Sequence, residues 1–410
     1  MTFPIRALRN RRGWLRYSLS SALEVAPVLG PGPWTSLALA LFPLAPSSEP
    51  AQEPSRPPGD TPGEQGRTVA RPMLAMDHGF LRSASLDLLG RPPFRAEAEL
   101  WVGKGFPAYL DEVLGSREFW DHWLNEQLYY FLLIDNFTPE SERVRAIPGD
   151  LQEGRLDVRE AVHRIAISAS FDRRNPGADT FVTVVMEQIA GMTVQKNVRE
   201  LEIGKRLYDG GDGVFLGSSG GSQADVVEIA VESRQFAQTF LEREYQRLLR
   251  QEPERKTLRD DVRKLHKKPR AFVAILRSWL VSPAYQQRLA EPVGLPNRLF
   301  VRSLFVDMMD RLPTPDEAEP LREALDGLSD SAPLRSVLVR LLIDSGRVPL
   351  PEKDAIENPT AWTGDLFLRL LGREATQDEL KTFVTAFHDP ACRPETVVYA
   401  ILSSPEYHLY

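Results

Sequence analysis

The segment DGGDGVFLGSSGGSQAD, residues 209–225, holds six glycines and three aspartates, the densest set of potential ligand-binding groups in a chain of 410 residues. Asp209, Asp212 and Asp225 can offer carboxylate oxygens to a hard cation such as calcium, although their spacing is not that of an EF-hand loop. A helix beginning after Ser222 would also present amide hydrogens to an anion. No G-K-[ST] follows, as a phosphate-binding loop requires, and no strand clearly precedes, as a dinucleotide fingerprint requires. The simpler expectation is a mobile inter-helix loop whose Ser222 caps the next helix.

Other reactive side chains are dispersed. The six histidines, at 78, 122, 163, 266, 388 and 408, include no pair at the three-to-five spacing of a zinc-binding helix. Asp77-His78 and Asp121-His122 are adjacent, so their side chains diverge on a helix, and surface or capping roles are expected. A Ser-His-Asp triad assembles across sequence distance and stays open at this level, but the serines of LGSSGGS make poor nucleophiles. The single cysteine, Cys392, excludes an internal disulfide framework, a multi-cysteine metal cluster and C-x-x-C-H haem attachment. No cofactor is expected.

Composition narrows the classes further. With 42% hydrophobic and 26% charged residues the chain is long enough for two or more packed cores. A formal net charge of −7 argues against a general nucleic-acid binder. Basic residues do cluster in RKLHKKPR, 263–270, but acids flank them, and the cluster reads as a solvated helix end. At the N-terminus, Arg6, Arg9, Arg11, Arg12 and Arg16 precede any acidic residue, and the apolar run LALALFPLA follows at 37–45. That run falls short of the roughly 20 residues that span a bilayer. Together they predict an export signal over 1–46, in which NRRGWLR resembles a twin-arginine motif. A cytoplasmic protein with an unstructured basic leader is the alternative. Residues 47–72, rich in proline, glycine and small polar residues, read as a disordered linker.

The elements that would position these residues follow from a phrase used four times: FLRSASLDLLGRPPFRAEAEL (80–100), FLEREYQRLLRQEPERKTL (240–258), FVRSLFVDMMDRLPTPDEAEPL (300–321) and DLFLRLLGREATQDEL (365–380). Apolar residues at three-to-four spacing make one buried helix face. Gly90 and Gly372 sit where a helix would end in a left-handed residue. Gly90 and Glu97, Asp310 and Glu317, and Gly372 and Glu379 are each seven apart, whereas the second copy has Arg250 and Thr257 and is the most degenerate. Thr314 with Glu317, and Thr376 with Glu379, predict capping boxes at the next helix, with Pro315 in its first position. Arg91, Arg311 and Arg373 are expected to pair with acids near these turns or to cover helix carbonyl ends.

A second phrase closes each unit: LGSREFW (114–120), LVSPAYQ (280–286), LIDSGRV (342–348) and LSSPEYH (402–408). The predicted fold class is all-α, tandem helical repeats in about four degenerate copies, at 73–138, 239–290, 291–350 and 351–410, with a helical, glycine-rich insertion over 139–238. In FWDHWLNEQLYYFLLIDNF (119–137), Trp120, Trp123, Leu124, Leu128 and Phe131 share one face and are expected in the core.

LDLLGRPP with its later SREFW, and LLGREATQDEL with SSPEY, resemble a large family of bacterial exported proteins of unknown function, often encoded or fused with cytochrome c-like domains. The carboxy-terminal copies also resemble the LLGR…SPE helical repeats of phycobilisome-linker-like domains in bacterial surface proteins. Gly90, Arg91, Pro92, Gly372, Arg373 and the run Ser404, Pro405, Glu406, Tyr407 carry the match. The resemblance implies an all-helical extracytoplasmic protein, at the periplasm or cell surface, and no established reaction; the haem-binding cysteines of some relatives are missing here. The expected function is therefore a non-catalytic scaffold or protein-binding module at the bacterial cell envelope. Its expected partner is another envelope protein, without nucleic acid and without a transmembrane helix. An accessory or catalytic component of an envelope polysaccharide-degrading system is the alternative, and oligomeric state stays open.

Overall fold

The computed structural model describes residues 76–132, 139 and 141–409. The expected export signal and linker lie outside the described residues. Four helices come first: α1 (His78–Leu89), α2 (Arg95–Trp101), α3 (Phe106–Gly115) and α4 (Arg117–Leu132). The insertion adds α5 (Glu142–Arg145), α6 (Ile147–Gln152), α7 (Val158–Ala166), α8 (Ala169–Arg174), α9 (Gly177–Val184), α10 (Val198–Tyr208), a hairpin of β1 (Gly213–Phe215) and β2 (Ser218–Gly220), and α11 (Gln223–Glu232). Then follow α12 (Arg234–Leu249), α13 (Arg255–Lys267), α14 (Phe272–Leu280) and α15 (Pro283–Leu289). The chain ends in α16 (Asn297–Met309), α17 (Pro315–Asp326), α18 (Ala332–Asp344), α19 (Pro359–Leu371), α20 (Gln377–His388) and α21 (Pro394–Leu402). Among the described residues the fold is all-helical apart from the hairpin. Among the described residues no helix is long and apolar enough to cross a membrane.

Two apolar cores share the molecule. The larger takes its side chains from α1 through α15 and includes the Trp120, Trp123, Leu124, Leu128 and Phe131 face of α4; the smaller is built from α16 to α21. Helix α1 serves both. Leu81, Ala84, Leu88 and Leu89 enter the larger core, whereas Leu86 joins the smaller one. Clad on nearly all sides, α1 buries eight of its twelve residues, so its two charged interior residues, Arg82 and Asp87, need buried partners.

The glycine-rich segment differs from the expected mobile loop. Phe215 is fully buried, and β1 and β2 pair antiparallel around Leu216 and Gly217, both at positive φ (47° and 89°). That is the backbone of a type I′ turn, which most often carries Asn-Gly. Ser222 does cap α11, accepting from the amide of Asp225.

Candidate functional site

Four corners share one backbone geometry. Helices α1, α12, α16 and α19 each end in a left-handed residue, Gly90 (φ 69°), Arg250 (52°), Asp310 (53°) and Gly372 (72°). The amide of each donates to the carbonyl four residues back, and a second helix starts five residues beyond the corner residue. This satisfies a carbonyl that the helix end would otherwise leave without a partner.

Three of the corners are locked by the same clasp. Arg91 forks onto Glu97 at 2.6 and 2.8 Å, Arg311 onto Glu317 at 2.8 and 2.8 Å, and Arg373 onto Glu379 at 2.9 and 2.8 Å. The same guanidinium also donates to the carbonyl of the next residue, Pro92, Leu312 or Glu374, at 3.0 Å. The expected pairing with acids is present, whereas the carbonyl each arginine covers belongs to the turn between the helices and not to a helix end. Each glutamate in turn accepts from the N-cap amide, of Phe94, Thr314 or Thr376. Thr314 and Thr376 return the favour to the Glu317 and Glu379 amides, completing the capping boxes. Hydrogen bonds from Arg311 and Arg373, ahead of smaller contributions from the caps, pull the carboxyls of Glu317 and Glu379 down to about 2.

The closing segments complete the clasp. Glu118 accepts from Arg91 at 2.5 and 2.7 Å, and Glu406 from Arg373 at 2.5 and 2.6 Å. At the third corner Arg347 occupies that place and donates instead to Glu317 at 2.9 Å. The serines beside them are helix joints: Ser116 accepts from the Phe119 amide and Ser404 from that of Tyr407. Ser168 with Phe171 and Ser233 with Phe236 repeat this Ser-x-x-aromatic joint inside the insertion, which the four quoted phrases do not cover.

The second corner keeps the backbone and lacks the clasp. Gln251 stands where the others have arginine, Thr257 where they have glutamate, and Ala284 where they have Glu118, Arg347 or Glu406. Thr257 donates to Glu254 at 3.2 Å, the reverse of the capping box. Beside this corner a groove of about 570 Å³ runs between α12 and α13, within the usual size range of ligand sites. Arg234, Arg255 and Arg259 line it together with Gln238, Gln246 and two glutamates, Glu242 and Glu252.

Two buried acids tie distant helices together, Asp87 within the larger core and Asp307 between α1 and the smaller one. Asp87 of α1 accepts from Arg288 at 2.5 and 2.7 Å and from Tyr285 at 3.2 Å. Asp307 of α16 accepts from Arg82 at 2.9 and 2.8 Å and from Tyr407 at 2.8 Å. Burial raises both phenols well above the usual tyrosine range, and raises Asp87 despite Arg288 beside it. The cavity beside Arg82 and Asp307 is small, about 30 Å³, and the hydrogen bonds of both acids go to Arg and Tyr side chains of neighbouring helices, as struts.

The glycine-rich segment does not gather its acids around a cation. Asp225 accepts from the amide of Gly221 at 2.7 Å, while Asp209 and Asp212 are exposed at the end of α10 and before β1. Among the described residues no three His, Cys, Asp or Glu side chains are grouped to hold a metal ion. Residues 217–221, GSSGG, do read G-x-S-x-G, a pattern worth testing as a nucleophile elbow. Ser219 of that run pairs with Val214 in the hairpin, is exposed and lacks the positive φ of a strained elbow. His122 corrects the expectation of a surface role: it is buried against Gly90, and burial, aided by the arginines around it and opposed by Glu126, pushes its imidazole down to about 3. Compared with known proteins, the chain matches no family model, no curated protein and no solved structure.

Proposed function

We propose that this chain is an exported, non-catalytic helical-repeat protein, built from about four degenerate copies, that scaffolds or binds another protein at the bacterial cell envelope. One contrast carries the reading. Three corners have their recurrent arginines and glutamates tied to each other and to helix ends, which is joinery, whereas the second corner has the same backbone with every clasp residue replaced and a polar groove beside it. A fold in which one copy is released from its structural motif has a surface left for recognition. The copies also associate in pairs: the closing Tyr285 of the second reaches Asp87 of the first, and Tyr407 of the fourth reaches Asp307 of the third.

Fractionation of native host cells carrying a C-terminally tagged chain, with cross-linking before lysis, tests this. Recovery from the envelope fraction, linked to another protein, supports the proposal. Recovery from the cytosol as a free chain defeats it.

A further inference from the structure

We propose that the groove between α12 and α13 docks an acidic segment of the partner polypeptide, an inference that rests on the protein-binding reading above. Arg234, Arg255 and Arg259 line the groove, and among the described residues none of them forms an ion pair, in contrast to the clasp arginines. Outside the groove the basic row continues along α13. Arg255, Arg259, Arg263 and Lys267 recur every four residues, about 6 Å apart along the helix axis. Residues 255–270 carry eight lysines and arginines against Asp260 and Asp261, six net positive charges in a chain whose formal net charge is −7. Arg263 and Lys264 are partly answered by those aspartates, at 3.3 and 2.9 Å. Most of that excess, Arg263, Lys264, Lys267, Lys268 and Arg270, lies toward the end of α13 away from the corner, and Arg255 and Arg259 carry the row into the groove, so a negatively charged partner is drawn to this helix.

The lining distinguishes a peptide from other polyanions. Gln238 and Gln246 offer both donors and acceptors, as a peptide backbone needs, and Glu242 and Glu252 can accept peptide N–H groups, so the segment's acids are spaced to meet the three arginines and avoid these two carboxylates. None of the residues lining the groove is aromatic, so neither a nucleobase nor a sugar ring has a face to stack on. Arginine forks then match Asp or Glu side chains of the segment in the bidentate manner that Arg91, Arg311 and Arg373 use within the chain. The missing intramolecular glutamate at Thr257 would thus be replaced by carboxylates from outside.

Purified chain and a panel of fluorescein-labelled Glu- and Asp-rich peptides of roughly a dozen residues, read by anisotropy at low salt, test this. At least one acidic peptide is expected to bind while a neutral peptide of equal length does not. Arg234→Gln with Arg255→Gln and Arg259→Gln is expected to weaken it roughly tenfold or more. Removing Lys196 and Arg199 charges, far from the groove in sequence, is expected to leave it within about twofold. Gln251→Arg with Thr257→Glu, which rebuilds the clasp of the other corners, is expected to compete with the peptide and weaken binding. Circular dichroism verifies that each variant folds. No binding by any acidic peptide, equal binding by the groove triple variant, or tighter binding by an oligonucleotide of equal charge each overturns the proposal. Because the assay uses purified chain, its failure leaves envelope location and partner capture standing, and a cytosolic location leaves this result readable.

Discussion

Tyr407 donates its phenolic hydroxyl to Asp307 Oδ2 across 2.8 Å, closing a buried site in which Arg82 forks onto the same carboxylate. The two partners of Asp307 come from opposite ends of the described chain. Tyr407→Phe is expected to destabilise the fold by about 1.5–3 kcal/mol, the range for a hydrogen bond to a charged group. Asp307→Ala is expected to cost more, about 3–5 kcal/mol, because it leaves Arg82 buried without its counter-ion. Denaturant unfolding of both variants provides the measurement; equal losses would mean that the carboxylate serves Tyr407 and not Arg82.

Gly372 combines a left-handed backbone with close approach. A Cβ there would lie 2.6 Å from the Cα of Gly79, a backbone atom that no rotamer change can move. Gly210 also has a positive φ, 82°, but open space around it. Gly210→Ala is therefore expected to cost about 1 kcal/mol from backbone conformation alone. Gly372→Ala should exceed it by about 1–3 kcal/mol, as overpacking does. Similar melting temperatures for the two variants would show that α1 and the α19 corner do not touch as described.

Glu317 and Glu379 titrate at about 2 in the folded chain, below their ordinary value of 4.5. A depressed carboxyl contributes stability that is present above the unfolded value and lost as pH falls through the folded one. Both clasps should accordingly weaken between pH 4.5 and 2. Water screening keeps each contribution to about 1 kcal/mol or less. Side-chain carboxyl titration by NMR checks the values directly, and Glu379→Gln, by removing its own signal, assigns it among the low-titrating carboxyls. A Glu379 signal, assigned by that variant, that titrates near 4 in the intact chain would contradict the Arg373 clasp.

What the sequence makes legible is local. Gly90 and Gly372 announce helix ends because only a few residues tolerate the left-handed conformation, and Thr314 with Glu317 announces a helix start because both partners lie within one turn. The buried acids are different. Asp87 and Asp307 stand out as charged residues in apolar stripes, yet their partners lie 201 and 225 residues away in sequence, beyond any periodicity rule. The hairpin escapes for a local reason: Leu216 adopts the positive φ usually left to asparagine, so the turn lacks its customary residue. The groove at the second corner was visible only as degeneracy. Gln251, Thr257 and Ala284 acquire meaning once the intact clasps show what they replace.

His122 supplies the pH dependence at milder acidity. Its imidazole is held neutral down to about 3, chiefly by burial; Glu126 opposes that shift, and Arg298, Arg247 and Arg302 add to it. The unfolded chain protonates this group from about 6.5, so the unfolded state gains protons first and stability falls as pH drops from 6.5 toward 3. Between pH 7 and 5 this one residue should remove about 2 kcal/mol, at 1.36 kcal/mol per unit of displaced titration. His408, held down to about 4 by burial and by Arg335, adds in the same direction, so the intact chain should lose more than one group's share. His122→Asn keeps a polar side chain beside Gly90 while removing the titration, and should reduce the loss between pH 7 and 5 by about 2 kcal/mol whatever it does to stability at pH 7. Denaturant unfolding at both pH values gives the four numbers required. An unchanged difference would mean that the imidazole is reached by water in the folded chain, and that the packing of α4 against the first corner is looser than described.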